Sequence, residues 1–346
     1  MKRALKLRVL TSLILPLSLG TSLQAQTTTD PVGVVKITID AAPSEGASKL
    51  TAISATLRNS ISHQGSATAI GSFGANVQTL ETGVTTWTAD QWTTEAHLCY
   101  IENAAGAEEA YLITSMDEST GQLTLSTTFD LTARYTATPT FRIVKAWTLG
   151  SLFGTDAVPF ATASSPTDAD NVYAWDGSAW ITYFHNGSSW QSPATSFGGD
   201  ANDTVIFPDE GLLVMRKTTT DVTITINGSV PIKPQISTIP GNGLTFISTR
   251  YPVGTTLVQT NIHNHEGWTS ASSPTDADII YIWNNTSNSW TTYWHNGSSW
   301  QSPATSFGGN ANDEAIAADS AMFIYRKTEA SAENAGHTHP MPYTPN

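Results

Sequence analysis

Aromatic side chains are the most concentrated chemically useful residues in this sequence, and they cluster twice at nearly the same spacing. Exposed tryptophan and tyrosine rings can stack on sugar rings, whereas buried rings fill a β core. Because side chains alternate between the two faces of a strand, each cluster divides into two sets. The alternation favours a core position for most of the tryptophans and a surface position for Tyr183 and Tyr293. The candidate ligand-binding residues are Tyr183, His185 and Trp190, with their counterparts Tyr293, His295 and Trp300.

Acidic and amide side chains form a second candidate site, in the segments GGDAND and GGNAND. Asp200, Asn202 and Asp203 offer oxygen atoms at short spacing, and Ca²⁺ is bound by several such oxygens. The two DAD segments, with Asp170 and Asp278, offer ligands of the same kind. Asp and Asn beside glycine also stabilise turns by bonding the local backbone. The sequence therefore leaves two alternatives, a turn or a calcium site, and requires no cofactor.

Histidines form two His-x-His pairs, His263/His265 in NIHNHEGW and His337/His339 near the C-terminus. Residues i and i+2 of a strand share a face, and a zinc site would add a third ligand such as Glu266 and an open water position. A metal-dependent secreted hydrolase is the enzyme hypothesis that follows. The first copy has no counterpart of His263 and His265, and the chain has no His-Glu-x-x-His, Gly-x-Ser-x-Gly or phosphate-binding glycine motif. We therefore predict a protein without catalytic residues.

A long internal duplication carries both aromatic clusters. It spans 163–218 and 271–328, and both copies contain the stretch HNGSSWQSPATSFGG. The second copy is longer in the turn after Trp283, where insertions are tolerated. VKITI at 35–39 resembles VTITI at 222–226. These matches indicate one ancestral unit used twice.

Each copy has the pattern of strand, tight turn and strand that would position these residues. NVYAW and WITYF alternate with period two and are joined by Asp176-Gly177, which suits a type I′ turn. Asn186-Gly187 marks a second turn, so the copy is predicted to form a β-meander. The predicted fold is all-β, with two tandem copies of a β-meander unit, sandwich- or barrel-like, and a small β-barrel-like insert in the first copy.

The sequence divides into five predicted parts. The signal peptide is predicted from a basic start, an apolar stretch and a small-residue cleavage site at Ala25. The tail is small, polar and proline-rich, which favours disorder. No other stretch is long enough to span a bilayer, so the mature chain is expected to lack a transmembrane segment. The parts are a signal peptide at 1–25, a first β repeat unit at 26–59 and 146–219, an inserted β domain at 60–145, a second β repeat unit at 220–329 and a disordered tail at 330–346.

An ordered set of motifs resembles a family of uncharacterised exported β-rich proteins from Verrucomicrobia-like bacteria. The motifs are DPVGVVKITI, WTLGSLFG, DADNVYAWDGSAWITYFHNGSSW and IFPDEGLLVMRK, and the resemblance spans nearly all of the mature chain. It implies export and a β fold, and it implies no activity and no functional residues. The second copy has IAADSAMFIYRK where the pattern has a Pro-x-x-Gly turn, so this loop is expected to differ between the copies.

Charge and cysteine content narrow the range of partners. The chain has 16 Lys+Arg against 29 Asp+Glu, and four of the basic residues precede residue 25. The mature chain therefore carries a net charge of about −17, which makes nucleic acid and anionic membranes poor partners. The single cysteine, Cys99, allows no intramolecular disulfide and is predicted to be buried on a strand.

The function that the sequence favours is non-enzymatic. We expect a secreted or cell-envelope protein with a structural, adhesive or polymer-binding role, and polysaccharide or surface-assembly components as its partners. The alternatives are a carbohydrate-binding module with an aromatic platform and a metal-dependent secreted hydrolase. Two nearly identical loops would suit bivalent attachment, because linked weak sites gain avidity. The sequence does not determine the oligomeric state.

Overall fold

The computed structural model describes residues 30–193, 199–303, 309–327 and 335–344. The predicted signal peptide lies outside the described residues, as do parts of the duplicated stretch and of the tail. Strands are the main regular structure of the described chain, which has one short α-helix and short 3-10 turns. Within the described residues, no helix is both long and apolar enough to cross a membrane. The all-β class predicted from the sequence is confirmed.

The 25 described strands fall into four stretches of the chain. The N-terminal stretch contains β1 (Val32–Ile39) and β2 (Lys49–Ser54). The predicted insert contains β3 (Ile61–Ser66), β4 (Ala69–Gly74), β5 (Val77–Glu81), β6 (His97–Glu102), β7 (Glu108–Asp117), β8 (Gln122–Ser126) and β9 (Thr140–Lys145). After it come β10 (Trp147–Thr148), α1 (Leu149–Phe153), β11 (Asn171–Trp175), β12 (Trp180–His185), β13 (Trp190–Gln191), β14 (Val205–Ile206) and β15 (Gly211–Arg216). The last stretch contains β16 (Val222–Ser229), β17 (Gln235–Ile239), β18 (Gly243–Ser248), β19 (Thr255–Thr256), β20 (Ile279–Asn284), β21 (Ser289–His295), β22 (Trp300–Gln301), β23 (Ala315–Ile316), β24 (Ala321–Arg326) and β25 (Ala335–His339).

Two antiparallel five-stranded sheets are built alike from the two copies. The first has the order β13-β12-β11-β15-β2, and the second has the order β18-β24-β20-β21-β22, which is the same arrangement read in the opposite direction. In each sheet a hairpin of the duplicated segment, β11–β12 or β20–β21, lies beside the strand that ends the copy. The sequence repeat is therefore a structural repeat.

A two-stranded antiparallel ribbon covers the outer face of each five-stranded sheet. In the first unit the ribbon is β1–β16, and its inward residues Ile37, Ile39 and Ile224 join that unit's core. In the second unit the ribbon is β17–β25, and Ile239 joins the core there. Each ribbon combines a strand that precedes its sheet in the chain with a strand that follows it.

The strands of the two ribbons contradict two of the predicted domain boundaries, that of the second repeat unit and that of the tail. The sequence assigns β16 to the second unit at 220–329, but β16 pairs with β1 and packs on the first unit. VKITI and VTITI are thus pairing partners instead of counterparts. The prediction of a disordered tail at 330–346 is wrong for the described residues 335–344, because Ala335–His339 forms β25 against β17. Pairing with a strand far away in the chain outweighs the polar composition of the segment.

The insert forms one large curled sheet. Its strand order is β3-β9-β6-β7-β8-β5-β4, and a short parallel contact between β7 and β17 links it to the ribbon of the second unit. Edge strands β3 and β4 are consecutive in the chain, so the sheet must curl back on itself. Among the described residues no ladder joins β3 to β4, so the predicted barrel-like insert is an open sheet. Cys99 is fully buried on β6, as predicted.

The two five-stranded sheets pack face to face across a shared apolar interface. The interface has approximate twofold symmetry: the indole N–H of Trp175 donates to the carbonyl of Leu244, and that of Trp283 donates to the carbonyl of Leu50, both at 3.0 Å. The same surface is therefore used by both units, which form an internal counterpart of an isologous dimer. The buried members of the interface are Ala52, Leu213, Phe246, Trp283, Ala321 and Phe323.

Candidate functional site

The two tyrosines predicted at the surface lie in the cores of the two units. Tyr183 is 8% exposed and Tyr293 is 4% exposed, and each packs among apolar residues. Both alternate to the face opposite Trp180 and Trp290, as the sequence indicates, but the ribbons cover that face. The predicted surface position is wrong because strand periodicity separates two faces without reporting what packs on either one.

The histidines and tryptophans of the predicted ligand-binding set support turns and cores. In both copies the Nδ1 atom of the histidine accepts a hydrogen bond from the backbone N–H two residues later, at 3.1 Å for His185 and 3.2 Å for His295. Trp190 and Trp300 are 1% and 0% exposed. These four side chains hold the turn after β12 or β21 against the core, so they do not present a ligand surface.

The predicted calcium residues take part in a backbone turn. Asp200 Oδ1 accepts the backbone N–H of Asn202 at 2.8 Å, and Asn202 Oδ1 accepts the backbone N–H of Trp190 at 2.9 Å. Asp203 beside them is exposed. Their oxygens serve the local backbone, as in the turn alternative. The described residues contain no group of three or more His, Cys, Asp or Glu side chains placed to hold a metal ion.

Asp170 and Asp278 of the DAD segments are buried in matched ion pairs. Asp170 Oδ2 lies 2.5 Å from Arg216 Nη1, and Asp278 Oδ2 lies 2.9 Å from Arg326 Nε. In each pair the other carboxylate oxygen accepts the backbone N–H of the residue after the arginine. The pairs fasten the loop before β11 or β20 to the end of β15 or β24, which gives these acids a structural role.

The two His-x-His pairs lie close together in the second unit. The ring centroids of His265 and His337 are 5.7 Å apart, and those of His337 and His339 are 4.7 Å apart. Burial is the main cause that lowers the pKa of His265 and of His337 to about 4, and it lowers the pKa of His339 well below its usual value. His263 instead stacks on His295, with centroids 4.5 Å apart. These imidazoles are neutral at neutral pH and pack chiefly against one another.

An open aromatic groove lies at the border of the interface between the sheets and belongs to the second unit. Tyr281, Trp290 and Tyr325 are half-buried there, and Phe323 beneath them is 7% exposed. The groove has a volume of about 290 Å³, and its lining residues are Leu244, Tyr281, Trp290, Phe323 and Tyr325. The groove has the partly exposed aromatic rings that the sequence analysis predicts at Tyr183 and Tyr293.

Neighbouring rings hold the groove in shape. The ring centroid of Trp290 lies 5.0 Å from that of Trp283 and 5.2 Å from that of Phe323. Burial, and secondarily the neighbouring Tyr325, raise the pKa of Tyr281, so its phenol stays protonated and can donate or accept a hydrogen bond. The ammonium of Lys327 lies 5.9 Å from the ring centroid of Tyr325. The result is a firm aromatic surface with polar groups beside it.

The corresponding residues of the first unit are less aromatic. The ladders place Leu213 where the second unit has Phe323, and Met215 where it has Tyr325. The sequence signal that could have identified the groove is this difference between two otherwise similar copies. Three lining residues, Leu244, Tyr281 and Trp290, have counterparts of the same type in the first unit, so the difference in the groove comes from Phe323 and Tyr325.

The longer turn of the second copy lies against the first unit. The ammonium of Lys49 donates to the carbonyl of Asn285, and Asn288 Oδ1 accepts the backbone N–H of Leu50 at 3.3 Å. Leu50 is the counterpart of Leu244, which lines the groove of the second unit. The inserted residues therefore contact the first unit at the position equivalent to the groove.

No protein-family model matches the chain, and no curated protein matches it. Among solved structures, the chain is similar to the VP16-VP17 complex, a complex of the two major capsid proteins of bacteriophage P23-77, and to VP17, a capsid protein of that phage. Each likeness has 14% identity over 58% of this chain, and covers 100% and 96% of the other chain, respectively. The TM-scores are 0.15 and 0.14, and a likeness at this level carries no argument about function.

Proposed function

We propose that this chain is an exported, non-enzymatic protein of the cell surface or envelope that binds a neutral polysaccharide. The observation that carries the proposal is the open groove with three half-buried aromatic rings, Tyr281, Trp290 and Tyr325. Partly exposed, packed aromatic rings supply a large apolar contact area, and the tyrosine hydroxyls add polar contacts. That combination matches a sugar, which has apolar ring faces and a hydroxyl rim.

The net charge of the chain and the volume of the groove favour one class of ligand. The mature chain carries a net charge of about −17, which repels polyanions and favours a neutral polymer. The groove volume of about 290 Å³ is near the lower end of the roughly 300–1,000 Å³ range of ligand pockets. A site of this size holds a short part of a chain, with the rest of the polymer lying across the surface.

Structural roles of the other candidate residues support a non-enzymatic function. The acids of the GGDAND segment bond their own loop, the DAD acids pair with buried arginines, and the histidines pack against one another. Acids engaged in this way are not free to bind a substrate or to transfer a proton to it.

Affinity electrophoresis and pull-down with insoluble cellulose, chitin, xylan and starch test the proposal. The wild-type mature chain should bind at least one of these neutral polymers. Tyr325→Met, which installs the first unit's residue at the equivalent position, should weaken binding about fivefold, since an aromatic contact is worth roughly 1 kcal/mol. Trp290→Ala should weaken binding further.

A matched control comes from the repeat. Met215→Ala changes the first unit's counterpart of Tyr325 and should leave polysaccharide binding unchanged. Thermal unfolding of each variant shows whether its fold is retained. The proposal is wrong if no polysaccharide binds the wild-type chain, or if Met215→Ala and Tyr325→Met weaken binding equally while both stay folded.

A further inference from the structure

A second cavity lies where the insert meets the segment that joins the two repeat units. Its volume is about 340 Å³, within the roughly 300–1,000 Å³ range of ligand pockets. Strands β3, β6, β7 and β9 of the insert supply all of its lining except Lys233, which comes from the joining segment. The polar lining residues are Gln64, Glu102, Glu108, Thr140, Arg142 and Lys233, beside the rings of Tyr100 and Phe141.

The charges of this cavity balance one another. Lys233 Nζ lies 2.5 Å from Glu102 Oε2 and 3.7 Å from Glu108 Oε1, and Arg142 Nε lies 3.4 Å from Glu108 Oε1. Burial opposes ionisation of Glu108, but Arg58 and Arg142 outweigh it and lower the pKa of its carboxyl. Burial also opposes ionisation of Glu102, but contacts with Lys233 and Thr140 outweigh it and lower the pKa of its carboxyl, so both carboxylates are ionised at neutral pH. Arg58 pairs with Glu108 and Asp30 pairs with Arg142, so acidic and basic side chains are equal in number around the cavity.

The polar wall is fixed before any ligand arrives. Glu108 is 1% exposed, and its Oε2 atom accepts a hydrogen bond from Arg58 Nη1 at 2.9 Å. The guanidinium of Arg58 in turn lies over the ring of Tyr100, 4.2 Å from its centroid. Thr140 donates its hydroxyl to Glu102. Groups that are already held in place lose little freedom when they bind a ligand.

We propose that this cavity binds a small neutral polyhydroxy compound, a monosaccharide or disaccharide. Carboxylates accept hydrogen bonds, guanidinium and ammonium groups donate them, and Gln64 does both. A sugar hydroxyl also donates and accepts, so adjacent hydroxyls can bridge the donors and acceptors of the wall without separating its ion pairs. Tyr100 and Phe141, each 2% exposed, form the small apolar part of the wall.

The balance of charge disfavours an ionic ligand. An anionic ligand would compete with the two carboxylates for Arg142 and Lys233 and would leave a carboxylate unpaired. A cationic ligand would compete with these two side chains for the carboxylates and would leave a basic side chain unpaired. The side chain of Glu108 is 2% exposed, and leaving such a buried charge without its partner is strongly destabilising. This site is separate from the aromatic groove, so the inference goes beyond the proposed polysaccharide binding.

Isothermal titration calorimetry on the full mature chain tests the inference with three series of sugars. Glucose, galactose and mannose are each compared with the analogue that has a carboxylate at C6 and with the analogue that has an ammonium at C6. The ring is constant within each series, and only the charge changes. At least one neutral sugar should bind, and each of its two charged analogues should bind at least tenfold more weakly.

Two charge variants should change this preference in opposite directions. Glu102→Gln leaves one positive charge in excess and should shift the preference at least tenfold towards the carboxylate sugar. Lys233→Met leaves one negative charge in excess and should shift it at least tenfold towards the ammonium sugar. Both side chains are partly exposed, and thermal unfolding verifies that each variant is folded.

Tyr325→Met separates this site from the aromatic groove, because it should leave sugar binding in the cavity unchanged. The inference is overturned if no neutral sugar binds the wild-type chain, or if a charged analogue binds as well as the neutral sugar does. Equal binding of glycine, a small zwitterion that carries both charges, would also overturn it. It is also overturned if folded Glu102→Gln and Lys233→Met keep the wild-type preference, or if Tyr325→Met abolishes the binding.

Discussion

At the residue scale, identical residues of the two copies lie in different surroundings. The indole N–H of Trp190 donates to the carbonyl of Gly154 at 2.8 Å, whereas the indole N–H of Trp300 is buried and has no hydrogen-bond partner among the described residues. In the second unit His263 stacks on His295 and lies 6.1 Å from Trp300, centroid to centroid. A residue's role is therefore set by the segments packed on it as well as by its own type.

Gly211 is required by the close approach of the two sheets. A Cβ atom at this position would lie 2.5 Å from the Cβ of Ala321 and 2.8 Å from the ring of Phe246. We expect Gly211→Ala to lower the free energy of unfolding by about 1–3 kcal/mol, because overpacking displaces neighbours. Urea unfolding measures the change. Gly74→Ala is the matched control, since nothing lies within 4 Å of its added Cβ, and an equal loss there would contradict this explanation.

Asp278 keeps the charge of Arg326 paired inside the second unit. Both side chains are almost fully buried, so Asp278→Asn leaves a buried cation without its counter-charge. We expect a loss of about 3–5 kcal/mol in the free energy of unfolding, measured by chemical denaturation. Asp276→Asn changes an exposed acid of the same segment and should cost less than about 0.5 kcal/mol. Similar losses in the two variants would refute the role assigned to the ion pair.

At the element scale, β25 shows how a polar segment becomes ordered. Its five residues pair with β17, His337 lies 3.0 Å from the carbonyl of Thr260 through Nε2, and His339 lies 3.0 Å from the hydroxyl of Ser237 through Nε2. The carbonyl of His339 accepts the hydroxyl of Tyr251. The strand is therefore held by ladder bonds on one side and by buried neutral imidazoles on the other.

The stability of this element should depend on pH. The pKa of His265 and of His337 is lowered from 6.5 to about 4 in the folded chain, so the folded chain binds fewer protons than the unfolded chain between these values. The contribution of the neutral histidines is complete above pH 6.5 and is lost as the pH falls to about 4. For His337 the loss is at most about 3 kcal/mol. Hydrogen exchange at 335–339 across this range should show the strand opening.

His337→Gln separates the histidine effect from the titration of carboxylates. Glutamine keeps an N–H donor for the carbonyl of Thr260 but has no proton to gain. The variant should therefore have a smaller decrease in unfolding free energy between pH 6.5 and pH 4 than the wild-type chain. Parallel pH profiles for the two proteins would show that His337 is not responsible.

At the scale of the whole molecule, the duplication produces an internal pseudo-dimer. Each unit is a sandwich of a five-stranded sheet and a ribbon, and the two units share one apolar interface. Because that interface is buried for both units at once, each stabilises the other. The insert adds a further connection, since β7 contacts β17 of the second unit.

Trp283→Ala tests this coupling. Trp283 is 8% exposed at the shared interface and bonds Leu50 of the first unit. Its truncation should cost about 3–5 kcal/mol and should raise hydrogen exchange in β2 of the first unit as well as in β20 of the second. Trp175→Ala, the counterpart change, should have the reciprocal effect. Faster exchange confined to the mutated unit would show that the units are independent.

The elements were more predictable than the site. Alternation and turn residues such as Asp176-Gly177 predict the hairpins, because strand faces and turn preferences depend on neighbouring residues. The predicted type I′ turn is wrong, since four residues separate the paired Trp175 and Trp180 and only Gly177 of the dipeptide has a positive φ, 97°. The groove could not be predicted in this way, since Tyr281 and Tyr325 become neighbours only when β20 pairs with β24. The same limit explains the errors at Tyr183 and Tyr293, which ribbons from distant parts of the chain bury.

By itself, the sequence determined that this protein is all-β, that it contains two copies of one unit, and that turns separate its successive strands. These properties follow from local periodicity and from identity between segments. Only the tertiary structure decided which face of each sheet is covered, that the C-terminal segment supplies a strand, and that the open groove belongs to the second unit. The physical reason is that burial depends on contacts between residues far apart in the chain, and such contacts have no period along it.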